Sequence, residues 1–303
     1  MTKPWSFADI GPQTGKRIVI TGANSGIGLV TALELARAGA EVVMPARSQA
    51  KADEAARHIR AQVPTAQILT GILDLSSLKS VRNFADGLAA DGRPIDVLIN
   101  NAGVMAIPRR EVSVDGFEMQ FATNVLGHFL LTGILLPSIL RAPTPRVVTV
   151  SSSAHALGGP APVPDLNSEQ SYKSAHAYSK TKLENVLFAR ELQRRAGARL
   201  LSVSCHPGVA RTKLMSHEMN IGLRIASFLS LLVSQSAERG AEPTLYAATS
   251  PDAKPAAYYG PGGKTGLKGP VRDTRMADFA YDDAAAKQLF EQLEEMAGIR
   301  YAL

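Results

Sequence analysis

The sequence predicts an α/β fold, a doubly wound and mostly parallel sheet of seven strands with helices on both faces. Three observations predict it. Short apolar runs alternate with helical repeats from Lys16 to about Gly260. The first apolar run feeds a glycine-rich turn, Gly22 to Gly28, that opens into a helix. No composition shift or internal repeat divides the 303 residues, so 1–303 reads as one domain. Strand–helix alternation of this kind implies parallel strands joined by right-handed crossovers.

Arg17–Ile20 is the first strand. Leu29, Ala32, Leu33 and Ala36 then recur at helical spacing, and Gly39 stops that helix. Glu41–Met44 is the second strand, Ala50–Gln62 a polar helix and Gln67–Leu69 the third strand. Leu75, Leu78, Val81, Phe84 and Leu88 mark the next helix, and Ile95–Asn100 is strand four. A long helix runs from roughly Phe117 to Leu136, followed by strand five, Arg146–Val150. The Gly/Pro-rich stretch Gly158–Pro164 is a loop. Helix His176–Arg195, strand Leu200–Ser204, helix Ala237–Thr249 and the short strand Ala257–Tyr259 complete the alternation. Pro261–Thr274 reads as a loop or tail, the start of a C-terminal extension over 261–303. Its last helix carries Leu289, Phe290, Leu293 and Met296 and is capped by Asp282 or Asp283.

Hydrophobic residues make up 45% of the chain and charged residues 20%, which supports a sizeable buried core. The net charge of +6 is scattered rather than clustered. That suits a phosphate-bearing small ligand and gives no footprint for nucleic acid. Cys205 is the one cysteine, so there is no intrachain disulfide, no Cys-rich metal site is expected, and a reducing, cytoplasmic location fits. Met1 to Gln13 has no apolar signal core. No apolar stretch reaches the roughly 18 residues of a spanning helix, so no integral membrane segment is expected.

The turn Thr21-Gly22-Ala23-Asn24-Ser25-Gly26-Ile27-Gly28 stands between a strand and a helix. Glycines there let backbone approach a pyrophosphate, and the helix N-terminus offers free N–H donors. An acid about 20 residues further on would bind a ribose 2′-hydroxyl. Here that stretch is Pro45-Ala46-Arg47-Ser48, with a cation and no acid. A guanidinium suits a 2′-phosphate, so Arg47 with Ser48 favours NADP(H) over NAD.

Tyr178 and Lys182 lie four residues apart on one helix face. A free tyrosine titrates near about 10. A neighbouring ammonium favours the phenolate, so Tyr178 can donate a proton in reduction and accept one in oxidation. Ser151, Ser152 and Ser153 follow strand five at the carboxyl edge of the sheet, where such folds bind ligands. His155, His176 and His206 read as loop or structural histidines.

These residues resemble the short-chain dehydrogenase/reductase family over about Lys16 to Gly260. Five motifs stand in the family's order: Thr21 to Gly28; Asp74-Leu75; Asn100-Asn101-Ala102-Gly103; Ser152 with Tyr178-Ser-Lys-Thr-Lys182; and His206-Pro207-Gly208 followed by Thr212. The resemblance implies a Rossmann domain and assigns roles. Asp74, beside Leu75, would bind adenine, and Asn101, with Ala102 and Gly103, would line the adenosine side. Asn124 would hold a water against the lysine. Ser152, second after Val150, would orient and polarise the substrate carbonyl. Lys182 would also grip the nicotinamide ribose, while Pro207, Gly208 and Thr212 would cover the carboxamide and pyrophosphate. Homodimers or homotetramers are common in the family. Ala46-Arg47, Asn124-Val-Leu-Gly127-His128-Phe129 and Ser152-Ser153-Ala154-His155 look most like the retinol dehydrogenase and WW-domain-oxidoreductase branch. Neither the N-terminal anchor of many retinol enzymes nor a WW module is expected here.

In this family the segment after Thr212 covers the substrate. Lys213 to Ser236 is apolar on more than one face, through Met215, Ile221, Phe228 and Leu232 among others. It is expected to be a lid over a lipophilic ketone, aldehyde or alcohol, or else core or a subunit contact. The leading expectation is an NADP(H)-dependent reductase or dehydrogenase. The alternatives are a non-catalytic NADP(H) sensor, or light-driven reduction, enoyl reduction or epimerisation on the same fold.

Overall fold

The computed structural model describes residues 3–208, 236–263 and 266–303. Within them lies one sheet, β1 (Arg17–Ile20), β2 (Glu41–Ala46), β3 (Gln67–Ile72), β4 (Val97–Asn100), β5 (Arg146–Val150), β6 (Leu201–Cys205), β7 (Tyr258–Pro261) and β8 (Val271–Asp273). The order is β3-β2-β1-β4-β5-β6-β7-β8. The first seven strands run parallel, and β8 pairs antiparallel with β7. The sheet therefore has eight strands where the sequence predicts seven. The extra one lies in Pro261–Thr274, read above as loop. Val271–Asp273 is only three residues long and follows Gly269-Pro270, so its pattern is too short to register as a strand and only pairing with β7 defines it.

Central strands such as Arg-Ile-Val-Ile at β1 are buried on both faces, as parallel strands covered by helices must be. Their side chains alternate. Val19, Val43, Leu98 and Val147 point into one core; Ile18, Ile20, Val42, Val97, Ile99 and Val148 point into the other. One layer holds α1 (Gly26–Arg37), α2 (Gln49–Gln62) and α6 (Ala237–Thr249). The opposite layer holds α3 (Leu78–Ala89), α4 (Met119–Ile139), α5 (Ser174–Ala196) and α7 (Asp283–Ala297). Asp282 caps α7 by accepting the Ala285 N–H. The C-terminal extension is sewn into this second layer: Phe129, Phe188, Phe290 and Tyr301 stack on one another, and the Tyr301 hydroxyl donates to the Phe129 carbonyl.

The helix α4 is long and apolar enough to cross a membrane by composition, with a mean hydropathy of 1.4, but 78% of that window is buried inside the fold. Its residues Ala122–Leu126 form a π-helical turn. Such turns widen a helix by one residue and cluster at functional sites. Asn124 sits in this one.

Candidate active site

The strand order reverses between β1 and β4, so a crevice opens at their carboxyl ends. Thr21 and Asn101 leave the two strands side by side there. The Asn101 amide donates to the Thr21 carbonyl (2.8 Å) and more weakly to that of Gly22 (3.4 Å). Gly22 turns the chain at φ +67°. A methyl on Gly28 would strike the Gly22 carbonyl and lie 2.5 Å from the Asn101 amide nitrogen. The turn is thus pressed against the first turn of α1, where Gly26, Ile27 and Gly28 present backbone N–H groups that no preceding helical turn can satisfy. Ser25 stands at the N-cap position with its side chain uncommitted to the cap.

Beside this turn Asn24, Ala46, Arg47, Ser48 and Lys51 line a cavity of about 340 Å³. Arg47 and Lys51 are both exposed there. Lys51 escapes a motif reading, although a second cation four residues after Arg47, in the first turn of α2, is a usable signal. Asp74 lies two residues beyond β3, and its Oδ1 accepts from the Ser76 backbone and hydroxyl at 3.0 and 2.7 Å. Leu75 is buried in the core. Pro207 and Gly208 follow β6 at the same edge. Thr212 and the expected lid, Lys213 to residue 235, lie outside the described residues.

The helix α5 brings Tyr178 and Lys182 to the crevice from the side. The Lys182 ammonium lies 5.6 Å from the centre of the Tyr178 ring and donates to the Val150 carbonyl at 3.1 Å. The Ser152 side chain stands beside the Tyr178 hydroxyl, near enough to favour its phenolate. Ser151 is turned away, donating to the Lys182 carbonyl at 2.6 Å. Of the two serines at this edge, only Ser152 is thereby given to Tyr178. Asn124 clasps Val104 with both ends of its amide, accepting from the Val104 N–H at 2.7 Å and donating to its carbonyl at 2.9 Å, and also donates to Thr181 Oγ1. A methyl on Gly103 would lie 3.3 Å from Asn124 Oδ1 and 3.6 Å from Lys182 Nζ, so this wall of the crevice is closely fitted. The four candidate catalytic side chains are therefore neighbours, and the backbone of Ala102 and Gly103 lies between them and the glycine turn.

Burial pushes the Lys182 ammonium down to about 8. Burial pushes the Tyr178 phenol up, and the Ser152 side chain beside it offsets part of that. At neutral pH both carry their protons.

Two histidines set aside as structural support this edge. His155 is buried; its Nε2 accepts from the Ala277 N–H (3.1 Å), so Nδ1 carries the proton and donates to the Ser152 carbonyl (2.9 Å). The C-terminal extension thereby pins the loop bearing Ser152, a contact across 122 residues with no sequence signal. His206 stacks on Tyr258, with ring centres 4.9 Å apart. His176 is exposed.

A glycine turn shaped for a pyrophosphate, at the switch point of a parallel sheet and beside a Ser–Tyr–Lys cluster, defines a dinucleotide-dependent oxidoreductase. The comparisons agree: the short chain dehydrogenase family matches residues 16–220, and the chain belongs to it. Retinol dehydrogenase 14 of Mus musculus is 41% identical over 96% of this chain and 88% of its own length. An uncharacterised protein from Mycobacterium paratuberculosis, 40% identical, superposes with a TM-score of 0.81 over 99% of this chain and 100% of that one. A protein described as an NAD(P)-dependent gluconate 5-dehydrogenase from Beutenbergia cavernae, solved with NADP, reaches a TM-score of 0.64 at 25% identity over 82% of this chain and 95% of that one. NAD(P)-dependent interconversion of an alcohol and a carbonyl compound follows from this membership.

Proposed function

We propose that the protein is an NADP(H)-dependent enzyme that interconverts a lipophilic ketone or aldehyde and its alcohol, with Tyr178 as the general acid and base. The observation that carries the proton-transfer reading is the Ser152–Tyr178–Lys182 cluster, with Ser151 engaged elsewhere. Ser152 orients the substrate oxygen. Tyr178 gives that oxygen a proton in reduction and takes it back in oxidation. The Lys182 charge stabilises the phenolate left behind, and Asn124 fixes the wall against which Lys182 packs. The bound nicotinamide supplies or accepts the hydride.

The choice of NADP(H) rests on Arg47 and Lys51 around the 340 Å³ cavity, with Asn24 and Ser48 as hydrogen-bonding partners for a 2′-phosphate. The lipophilic substrate class rests on the apolar composition of Lys213–Ser236 and on the retinol named in the mouse relative. A reducing, cytoplasmic setting matches the buried, unpaired Cys205. NADPH absorbance followed with a panel of long-chain aldehydes, cyclic ketones, sugars and polyols tests the reading. Turnover of the apolar carbonyl compounds is expected; turnover confined to sugars and polyols overturns the substrate class.

A further inference from the structure

His128 lies in α4 just past the π turn, 2% exposed, and touches both ends of the site. Its Nδ1 is 3.1 Å from the Asn124 carbonyl oxygen. Its Nε2 is 2.8 Å from the Thr21 hydroxyl. That hydroxyl oxygen in turn lies 3.0 Å from the backbone nitrogens of both Asn101 and Ala102.

These contacts admit one arrangement of protons. A carbonyl only accepts, so Nδ1 carries the hydrogen. Burial, with the nearby Lys182 charge as a lesser contribution, holds the imidazole down to about 4, so at neutral pH the ring is uncharged and Nε2 is a lone pair. The Thr21 O–H donates to it. Among the described residues the other acceptor in reach, the Ile99 carbonyl, is further away at 3.4 Å. The two lone pairs of Thr21 then receive the N–H of Ala102 and that of Asn101, which is shared with the Ile99 carbonyl at 3.0 Å. Every donor in the chain points the same way, from the β4 wall through Thr21 and His128 to Asn124. Each bond therefore polarises the next.

We propose that His128 is a positioning residue that couples the dinucleotide-binding turn to the Asn124–Lys182 wall of the catalytic site. At one end, Thr21 begins the glycine turn and ties it to Asn101 and Ala102. At the other, Asn124 packs beside Lys182 through Gly103. A side chain 107 residues from Thr21 thus holds the pyrophosphate cradle and the proton-transfer machinery in register. The inference deepens the NADP(H) oxidoreductase reading and rests on it.

Two measurements test it. In ligand-free protein carrying 15N-histidine, with the His128 signals assigned by their loss in His128→Gln, long-range 1H–15N correlations should show a neutral ring protonated at Nδ1. A ring protonated at Nε2, or charged at pH 7, overturns the proposal. The second measurement separates the two halves of the bridge. His128→Asn keeps a donor near the Nδ1 position and cannot reach Thr21; NADPH should bind about tenfold more weakly, with kcat at saturating NADPH within about threefold of wild type. His128→Gln can reach Thr21 with its amide oxygen and leaves the Asn124 carbonyl unpaired; kcat should fall about tenfold with NADPH affinity nearly kept. These magnitudes correspond to one lost hydrogen bond each. Thr21→Val should copy the affinity loss, and Thr21→Ser should restore it. Equal losses of affinity and kcat in all variants, or no loss, overturn the proposal. A wild-type protein that binds neither NADPH nor NADH would instead refute the functional reading, and the ligand-free tautomer would still decide the bridge.

Discussion

The two ends of the crevice hold their cations in opposite ways. Arg47 and Lys51 stand exposed around an open cavity, whereas Lys182 is 4% exposed and surrounded by protein. An exposed cation keeps its hydration until a phosphate displaces it, so its contribution appears when the ligand binds and depends on which ligand that is. A buried ammonium loses its hydration when the chain folds. Its proton becomes easier to lose, and Lys182 is brought down to about 8, close to the working range of an acid–base site. Under the proposed function, the first arrangement serves selection and the second serves proton transfer.

The sharpest way to break this contrast is Tyr178→Phe. The ring and its packing remain, the proton donor is gone, and turnover should fall by roughly 10²- to 10⁴-fold while NADPH affinity measured by fluorescence titration is retained. Wild-type turnover in this variant would end the proton-transfer assignment. Next in size is Arg47→Asp, for which NADPH binding should weaken by about 10- to 100-fold and NADH binding far less, since only NADPH carries the 2′-phosphate. Equal losses for the two cofactors would reject that site. The pH dependence should follow Lys182. For reduction, kcat/KM should fall by roughly tenfold per pH unit once pH rises past about 8, as the ammonium loses its proton, and a profile flat to pH 9.5 would contradict this. Stability should move the other way. The folded value lies below the ordinary lysine value of 10.5, so the cost of burying the charge is fully present below about pH 8 and is relieved as pH rises toward 10.5. Lys182→Met should therefore gain more in Tm over wild type at pH 6.5 than at pH 9.5. The smallest effect is expected for Lys51→Ala. Being exposed and flanked by Arg47, it should cost NADPH affinity only about two- to fivefold.

Much of the fold is legible in the sequence because its signals are local. Apolar runs at β1, β2, β4, β5 and β6 and helical repeats at α1, α3 and α5 stand within a few residues of their observed bounds. The exceptions are elements whose stability comes from elsewhere. β8 exists by pairing with β7, and the π turn in α4 interrupts a run of apolar residues that reads as plain helix. The candidate site divides similarly. Tyr178 and Lys182 share a helix face by spacing alone, and Gly22–Gly28 stands out by composition. The bond from Ala277 to His155 and the contact between His128 and Thr21 join segments more than 100 residues apart, so no window of sequence contains them.

By itself the sequence determined the alternating parallel architecture, the place of the glycine turn and the spacing of Tyr178 and Lys182, since these depend on periodicity and on the backbone freedom of glycine. The tertiary structure alone decided that Ser151 is turned to the Lys182 carbonyl, that Lys51 joins Arg47 at the cavity, and that burial brings Lys182 down to about 8. Hydrogen-bond partners and desolvation are set by whatever packs around a group. At this site the packing comes from strands and helices that are distant in the chain.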